Sequence, residues 1–169
     1  MFSAIIYNSC TGSCKKYAEL ISKELSIPAV DLKKASGVSG KVLYIGWLMA
    51  GSIMGYKKAK EKYSVAAVAQ VGMAPVTESS EAQGRQNNDI SPDVPLFCLQ
   101  GGFDINKLPL HFRIMMKLMN KNITEKLKAK AEKTELNAQE IATLKMAETG
   151  VGEPAAWNID DVVEWCKAH

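Results

Sequence analysis

Up to Leu99, apolar side chains come in short runs bounded by turn-forming residues. Ser3–Tyr7, Pro28–Leu32, Val42–Ile45, Val65–Val71 and Val94–Leu99 read as strands. In Val42-Leu43-Tyr44-Ile45 every successive position is apolar. Side chains alternate across a strand, so both faces of this one are covered, as in a parallel sheet lying between helices. Between the runs, Tyr17, Leu20, Ile21 and Leu25 repeat at helical spacing. Ile53–Tyr63 predicts a helix with lysines on its wet face, and Thr77–Asn88 a short one weakened by Gly84 and the polar run after it. Lys33–Gly40, Gly46–Gly51 and Gly72–Pro75 read as loops. Strands alternating with helices predict an α/β fold, a parallel sheet wrapped on both sides and joined by right-handed crossovers.

After Gly101-Gly102 the period lengthens to that of a helix. Pro109 suits a first helical turn. Leu108, Phe112, Met115 and Met119 share one face, which Ile114 and Leu118 widen. This stripe reads as core-facing; its alternative is an apolar, basic surface for a membrane or a partner. Asn137 with Glu140 three residues on reads as a capping box, and Gly150 ends the helix it opens. Asn158 with Asp161 opens the last helix. No repeat or linker interrupts the pattern, so 1–169 reads as one domain, with the charged stretch 123–136 the nearest thing to an insertion.

Composition sharpens this picture in two places. The 169 residues and 47% apolar content suit one globular domain with a real core. The net charge is only +3, yet between Ile105 and Lys133 eight Lys/Arg side chains stand against Glu125 and Glu132 alone. That segment is either a solvated helix face or an attractive surface for an anionic substrate, partner or membrane. It lacks interleaved aromatics beyond Phe112, so nucleic acid is not expected. Met1 and Phe2 lead straight into a strand without a basic start or cleavage site. No apolar run approaches the roughly 20 residues that span a bilayer. Four scattered cysteines form no disulfide framework, so a reducing cytoplasm is the expected compartment.

The chemistry concentrates in the first loop, Asn8-Ser9-Cys10-Thr11-Gly12-Ser13-Cys14. Parallel sheets bind ligands beyond the carboxyl ends of their strands, where strand order reverses. Here Ser9, Thr11 and Ser13 supply hydroxyls, and Gly12 lets backbone approach a ligand closely. The helix N-terminus that follows offers free N–H groups and a favourable dipole for an anion. With no lysine inside the turn, and neither G-x-x-x-x-G-K-[ST] nor G-x-G-x-x-G present, a nucleoside triphosphate or dinucleotide fits poorly. A phosphate monoester held by hydrogen bonds fits better; the plain alternative is a Ser/Thr helix cap.

Ile5–Ala18, IIYNSCTGSCKKYA, resembles the FMN-phosphate loop of the flavodoxin family, roughly S/T-x-T-G-x-T before a helix. Ser9, Thr11 and Gly12 match, and Cys14 stands where the family usually has a second threonine. Gly46-Trp47-Leu48-Met49-Ala50-Gly51-Ser52 is similar to the family's next loop, which makes Trp47 the candidate to stack on the isoalloxazine ring. Gly72 and Met73 fall in its third flavin-binding loop. Leu96–Leu108, with its Gly-rich turn and D-x-x-K-L, and the closing Ala156-Trp157-Asn158-Ile159-Asp160 resemble a bacterial flavodoxin-domain subfamily that includes the menaquinone-dependent protoporphyrinogen oxidase. The resemblance covers nearly the whole chain. It implies a flavodoxin-like three-layer sandwich, with a five-stranded parallel sheet in the order 2-1-3-4-5. It also implies FMN as cofactor, bound by Ser9, Cys10, Thr11, Gly12, Ser13, Cys14, Trp47, Leu48, Met49, Ala50, Gly51, Gly72 and Met73. Gly101, Gly102 and Asp104 border the same rim, although Asp104 equally suits turn and helix-start hydrogen bonding.

Cys10 and Cys14 flank the turn as a conceivable redox pair, or simply as small residues in a tight loop. Only His111 and His169 are available, so neither a metal site nor a catalytic triad is expected. Three functions remain: an FMN oxidoreductase acting on a quinone-like or other planar anionic substrate, a flavodoxin-type electron carrier with a redox partner protein, or a flavodoxin-fold binding module that has lost FMN. The flavin itself would carry the redox chemistry, so no catalytic side chain is expected. The net basic charge argues against a low-potential carrier. A membrane contact through the basic segment would be weak.

Overall fold

The computed structural model describes all residues from Met1 to His169. Strand β1 (Ala4–Asn8) leads through helix α1 (Ser13–Leu25) to β2 (Ala29–Asp31), which pairs with β1 in parallel. The chain then crosses to the other side of β1 and runs up β3 (Lys41–Met49), again in parallel. A short β4 (Ser52–Ile53) folds back on the end of β3. Helix α2 (Tyr56–Lys62), β5 (Ser64–Gly72), helix α3 (Ser80–Asn88) and β6 (Leu96–Gln100) complete the sheet. Its order is β2-β1-β3-β5-β6, with every neighbouring pair parallel and β4 attached to β3.

The alternating side chains of the strands fill two separate cores. Ile5, Leu43, Ile45, Ala67, Ala69 and Val71 face Cys14, Tyr17, Ala18 and Ile21 of α1 and Val162, Val163 and Cys166 of the terminal helix α6 (Asp160–Ala168). Ala4, Ile6, Val42, Tyr44 and Val68 face the opposite way, onto Tyr56 and Ala59 of α2 and Ile90 beyond α3. The α/β class and the helix-covered parallel sheet are therefore as the apolar runs predict.

Several boundaries differ. Gly46–Gly51 is not a loop: β3 continues through Met49, and only Ala50 (φ 49°) and Gly51 (φ 84°) turn the chain back into β4. Both central residues of this hairpin have positive φ, as a type I′ turn requires, but Ala-Gly lacks the Asn or Asp that signals such a turn. Helix α2 starts later than Ile53 because Ile53 is in β4 and Gly55 (φ 85°) caps the helix. The expected short helix forms as α3 with Gly84 buried inside it. This glycine lets the helix lie on Gln70, whose Oε1 would be 2.3 Å from an added Cβ.

After β6, Phe103–Asp104 forms β7, which pairs antiparallel with β8 (Val151–Gly152), a two-stranded element the sequence pattern did not suggest. Pro109 precedes the long helix α4 (Leu110–Ala131), whose last turns hold most of the charged stretch. Helix α5 (Ala138–Thr149) opens with the expected capping box of Asn137 and Glu140 and ends at Gly150 (φ 73°). The Asn158 side chain accepts a hydrogen bond from the Asp160 N–H at the start of α6. The apolar stripe of α4 is not core-facing as a whole. Phe112 and Met116 pack with Phe103, Leu108 and Met146, but Leu110, Ile114, Met115, Leu118 and Met119 are exposed. No helix is long and apolar enough to cross a membrane.

Candidate functional site

Strand order reverses between β1 and β3, because the chain leaves β1 for β2 on one side and returns to β3 on the other. At such a point the loops diverge and leave a crevice. A mainly apolar cavity of about 300 Å³ lies there, at the carboxyl ends of the strands, a size at the lower end of small-molecule sites.

Its first wall is the turn from β1 into α1. Gly12 has φ 107°, a conformation that strains any residue with a Cβ. The Gly12 N–H donates to Ser9 Oγ at 3.2 Å, and the Lys16 N–H is the first to reach a carbonyl of the turn, that of Gly12 at 3.0 Å. The N–H groups of Ser13, Cys14 and Lys15 thus begin the helix without a backbone acceptor, at the positive end of its dipole. Ser9, Thr11 and Ser13 line the cavity beside them, and Ser13 Oγ is anchored by donating to the Gly102 carbonyl at 2.9 Å.

Cys10 and Cys14 also line this end, but not as a reactive pair. Cys14 is 1% exposed within the core of α1, and burial pushes its thiol far above the ordinary range. Burial raises the Cys10 thiol as well, against a smaller opposing effect of Lys33. Both are therefore thiols rather than thiolates at neutral pH, the unreactive form. All four cysteines are free.

The second wall is the end of β3 and its hairpin: Trp47, Leu48, Met49, Ala50 and Gly51. The Trp47 ring is half-buried rather than sealed beneath the strand. It meets Phe112 of α4 edge-on, with centroids 6.4 Å apart and planes at 80°. Val71, Gly72, Met73 and Ala74 form the floor at the end of β5. Gly101, Gly102 and Phe103 close the β6 side. The Gly101 N–H donates to the Gly72 carbonyl at 2.7 Å, and an added Cβ on Gly101 would come within 2.6 Å of Val71 Cγ1. Glycine is what allows β6 to pass this close to β5 and α1. Asp104 does not belong to the rim. It accepts from the Asn106 N–H at 3.0 Å and pairs with Lys107 at 3.6 Å, which is turn chemistry.

Every expected binding position except Gly12 lines the cavity, and Gly12 shapes the turn that holds the others. The wall formed by α4 was not among the expected binding positions. Leu108, Phe112, Met115, Met116, Met119 and Ile123 face the loops across the cavity. Their recurrence every three or four residues was the signal, but periodicity alone does not distinguish a helix on the core from a helix over a pocket.

A buried polar knot fixes these walls. Gln100 Nε2 donates to the carbonyls of Gln139 (3.0 Å) and Met73 (3.3 Å) and to Thr143 Oγ1 (3.0 Å). Thr143 Oγ1 donates on to the Met73 carbonyl at 3.0 Å, and Tyr17 OH to the Gln100 carbonyl at 2.7 Å. One side chain thus joins the β5 loop, the end of β6 and α5, while its carbonyl holds α1. No cluster of His, Cys, Asp or Glu side chains that could hold a metal ion is present.

Comparison with protein-family models, curated proteins and solved structures finds no match for this chain. The site therefore has to be read from its own chemistry: an apolar slot with aromatic edges, joined at one end to a turn rich in hydroxyls and free N–H groups and lacking a cation.

Proposed function

We propose that this chain is a flavodoxin-like redox protein, akin to the bacterial flavodoxin-domain subfamily its motifs resemble, and that it binds FMN in this crevice. The observation that carries the proposal is the joining of two unlike environments in one cavity. The turn from Ser9 to Cys14 presents hydroxyls and a helix N-terminus, which suit a phosphate monoester. The slot from Trp47 to Met119 is apolar, which suits a flat ring system. In such a site Ser9, Thr11 and the N–H groups of Ser13, Cys14 and Lys15 would hold the phosphate, and Trp47, Met49 and Met73 would flank the ring. The flavin supplies hydride or electron exchange when bound. The protein's part is to orient it and exclude water from its faces.

Among redox roles, the α4 wall favours an oxidoreductase over a carrier. A carrier presents its ring edge to a partner protein, whereas Phe112, which meets Trp47 edge-on, and Met115 and Met119 beside it wall the cavity and would cover such an edge. A planar, anionic or quinone-like substrate fits a slot walled by methionines with lysines beyond it. One observation favours a second reading, a binding module without FMN. Cys14 contributes no exposed hydroxyl-like group and Ser13 Oγ is engaged with Gly102, so few side-chain donors remain for a phosphate.

Thr11→Trp separates the readings. FMN titrated into the wild-type protein is expected to bind with quenched fluorescence, and the variant to lose that binding while remaining folded by circular dichroism. Equal FMN binding by both proteins would remove the phosphate turn from the account.

A further inference from the structure

Helix α4 carries more apolar surface than the cavity uses. Leu110, Ile114 and Leu118, four residues apart, form one stripe and are 72%, 65% and 66% exposed. None of the three lines the cavity. Met115 and Met119, at 39% and 41% exposure, bridge the stripe to the cavity, whose wall they form on their other side. The outer face therefore runs on into the α4 wall of the cavity.

The charge around this stripe is mainly basic, although Lys117 and Lys121 border a groove toward α5 that also holds Glu125 and Glu148, the latter paired with Lys128. Lys107, Arg113, Lys117 and Lys121 fall between Ile105 and Thr124, where there is no acidic residue. Lys107 pairs with Asp104, but no ion pair involves Arg113, Lys117 or Lys121. At 100° per residue, Lys117 and Lys121 flank the stripe on the side away from the cavity. The helix has 22 residues, about 33 Å at 1.5 Å per residue. It cannot cross a membrane, so it would lie along a surface.

We infer that the outer face of α4 docks on an anionic lipid surface, with Leu110, Ile114 and Leu118 entering the acyl boundary and Lys117 and Lys121 meeting the headgroups. The charge decides against a second copy of the chain. A two-fold interface would set the unpaired lysines of one copy against those of the other. The residue types decide against a protein partner, since the stripe is convex, aliphatic and without the Trp or Tyr anchors of protein interfaces. The inference does not depend on what the cavity holds.

The test is co-sedimentation of the purified full chain with vesicles of phosphatidylcholine alone, and of phosphatidylcholine with phosphatidylglycerol, with and without FMN. Binding is expected only to the anionic vesicles, in either cofactor condition, and is expected to weaken with added salt. The double variant Lys117→Glu/Lys121→Glu should bind at least roughly tenfold more weakly, from the electrostatic worth of each lysine at such a surface. Ile114→Gln/Leu118→Gln should also lose binding while keeping the wild-type circular dichroism, because both side chains are exposed. Absence of binding to anionic vesicles would overturn the proposal. So would equal binding by all variants, or a solution dimer that the glutamine substitutions dissociate.

Discussion

Two glycines near the cavity hold their positions for different reasons, and this separates their expected phenotypes. At Gly12 an added Cβ meets nothing within 4 Å, so Gly12→Ala costs only the backbone strain of φ 107°, about 1–3 kcal/mol. At Gly101 the φ is unremarkable but a Cβ would press into Val71 and Ser13. Gly101→Ala therefore overpacks the junction of three elements, at a cost of about 1–3 kcal/mol. Urea unfolding should show both losses, but a compensating Val71→Ala should rescue Gly101→Ala alone. Rescue of both, or of neither, would contradict this assignment. The place of Gly12 in the turn after β1 is legible from its neighbours Ser9 and Thr11, which is local information. The need for glycine at 101 comes from contacts with Val71 and Ser13, which only the folded chain brings together.

At the scale of elements, α5 is tied to the sheet through its buried Thr143 more than through a broad apolar stripe. Thr143→Val keeps the shape but removes one of the two donors to the Met73 carbonyl and one of the three acceptors around Gln100 Nε2, whose other partners remain. A loss of about 0.5–1.5 kcal/mol in chemical denaturation is expected. A neutral substitution would mean that the knot does not hold α5. The start of α5 was legible because a capping box is written in four consecutive residues. The end of β3 was not legible, since Trp47-Leu48-Met49 is equally compatible with a ligand loop and an extended strand. Helix α4 departs from the core-facing expectation for a related reason. A helix covering an open cavity has the same apolar period as one buried in a core, and only the surroundings distinguish them.

Across the whole molecule, several buried thiols and phenols hold their protons more tightly folded than unfolded. Burial pushes the Cys166 thiol up to about 11 and the Tyr17 hydroxyl up to about 12, the latter raised further by Cys14. For such acids the unfolded chain loses its proton first. Their contribution to stability is present below the unfolded values, near 9 for the thiol and 10 for the phenol, and is lost as pH rises through the folded ones. Urea midpoints should therefore fall between about pH 9 and 12, and Cys166→Ala should flatten the lower part of that fall. A midpoint constant through this range would contradict the burial of these groups. The layered architecture was legible in the fully apolar run from Val42 to Ile45, because covered faces are a local property of a strand. The β7–β8 pair was not, since two residues from each of two distant segments carry no periodicity.

Binding of FMN requires one cavity to take a phosphate monoester at one end and a flat ring at the other. The most direct measurement is the absorption spectrum of the purified wild-type protein with and without added FMN. Flavin bands are expected to shift and gain structure on binding, at a stoichiometry of one FMN per chain. Free-flavin bands unchanged at saturating protein would contradict FMN binding and leave the crevice to a different ligand.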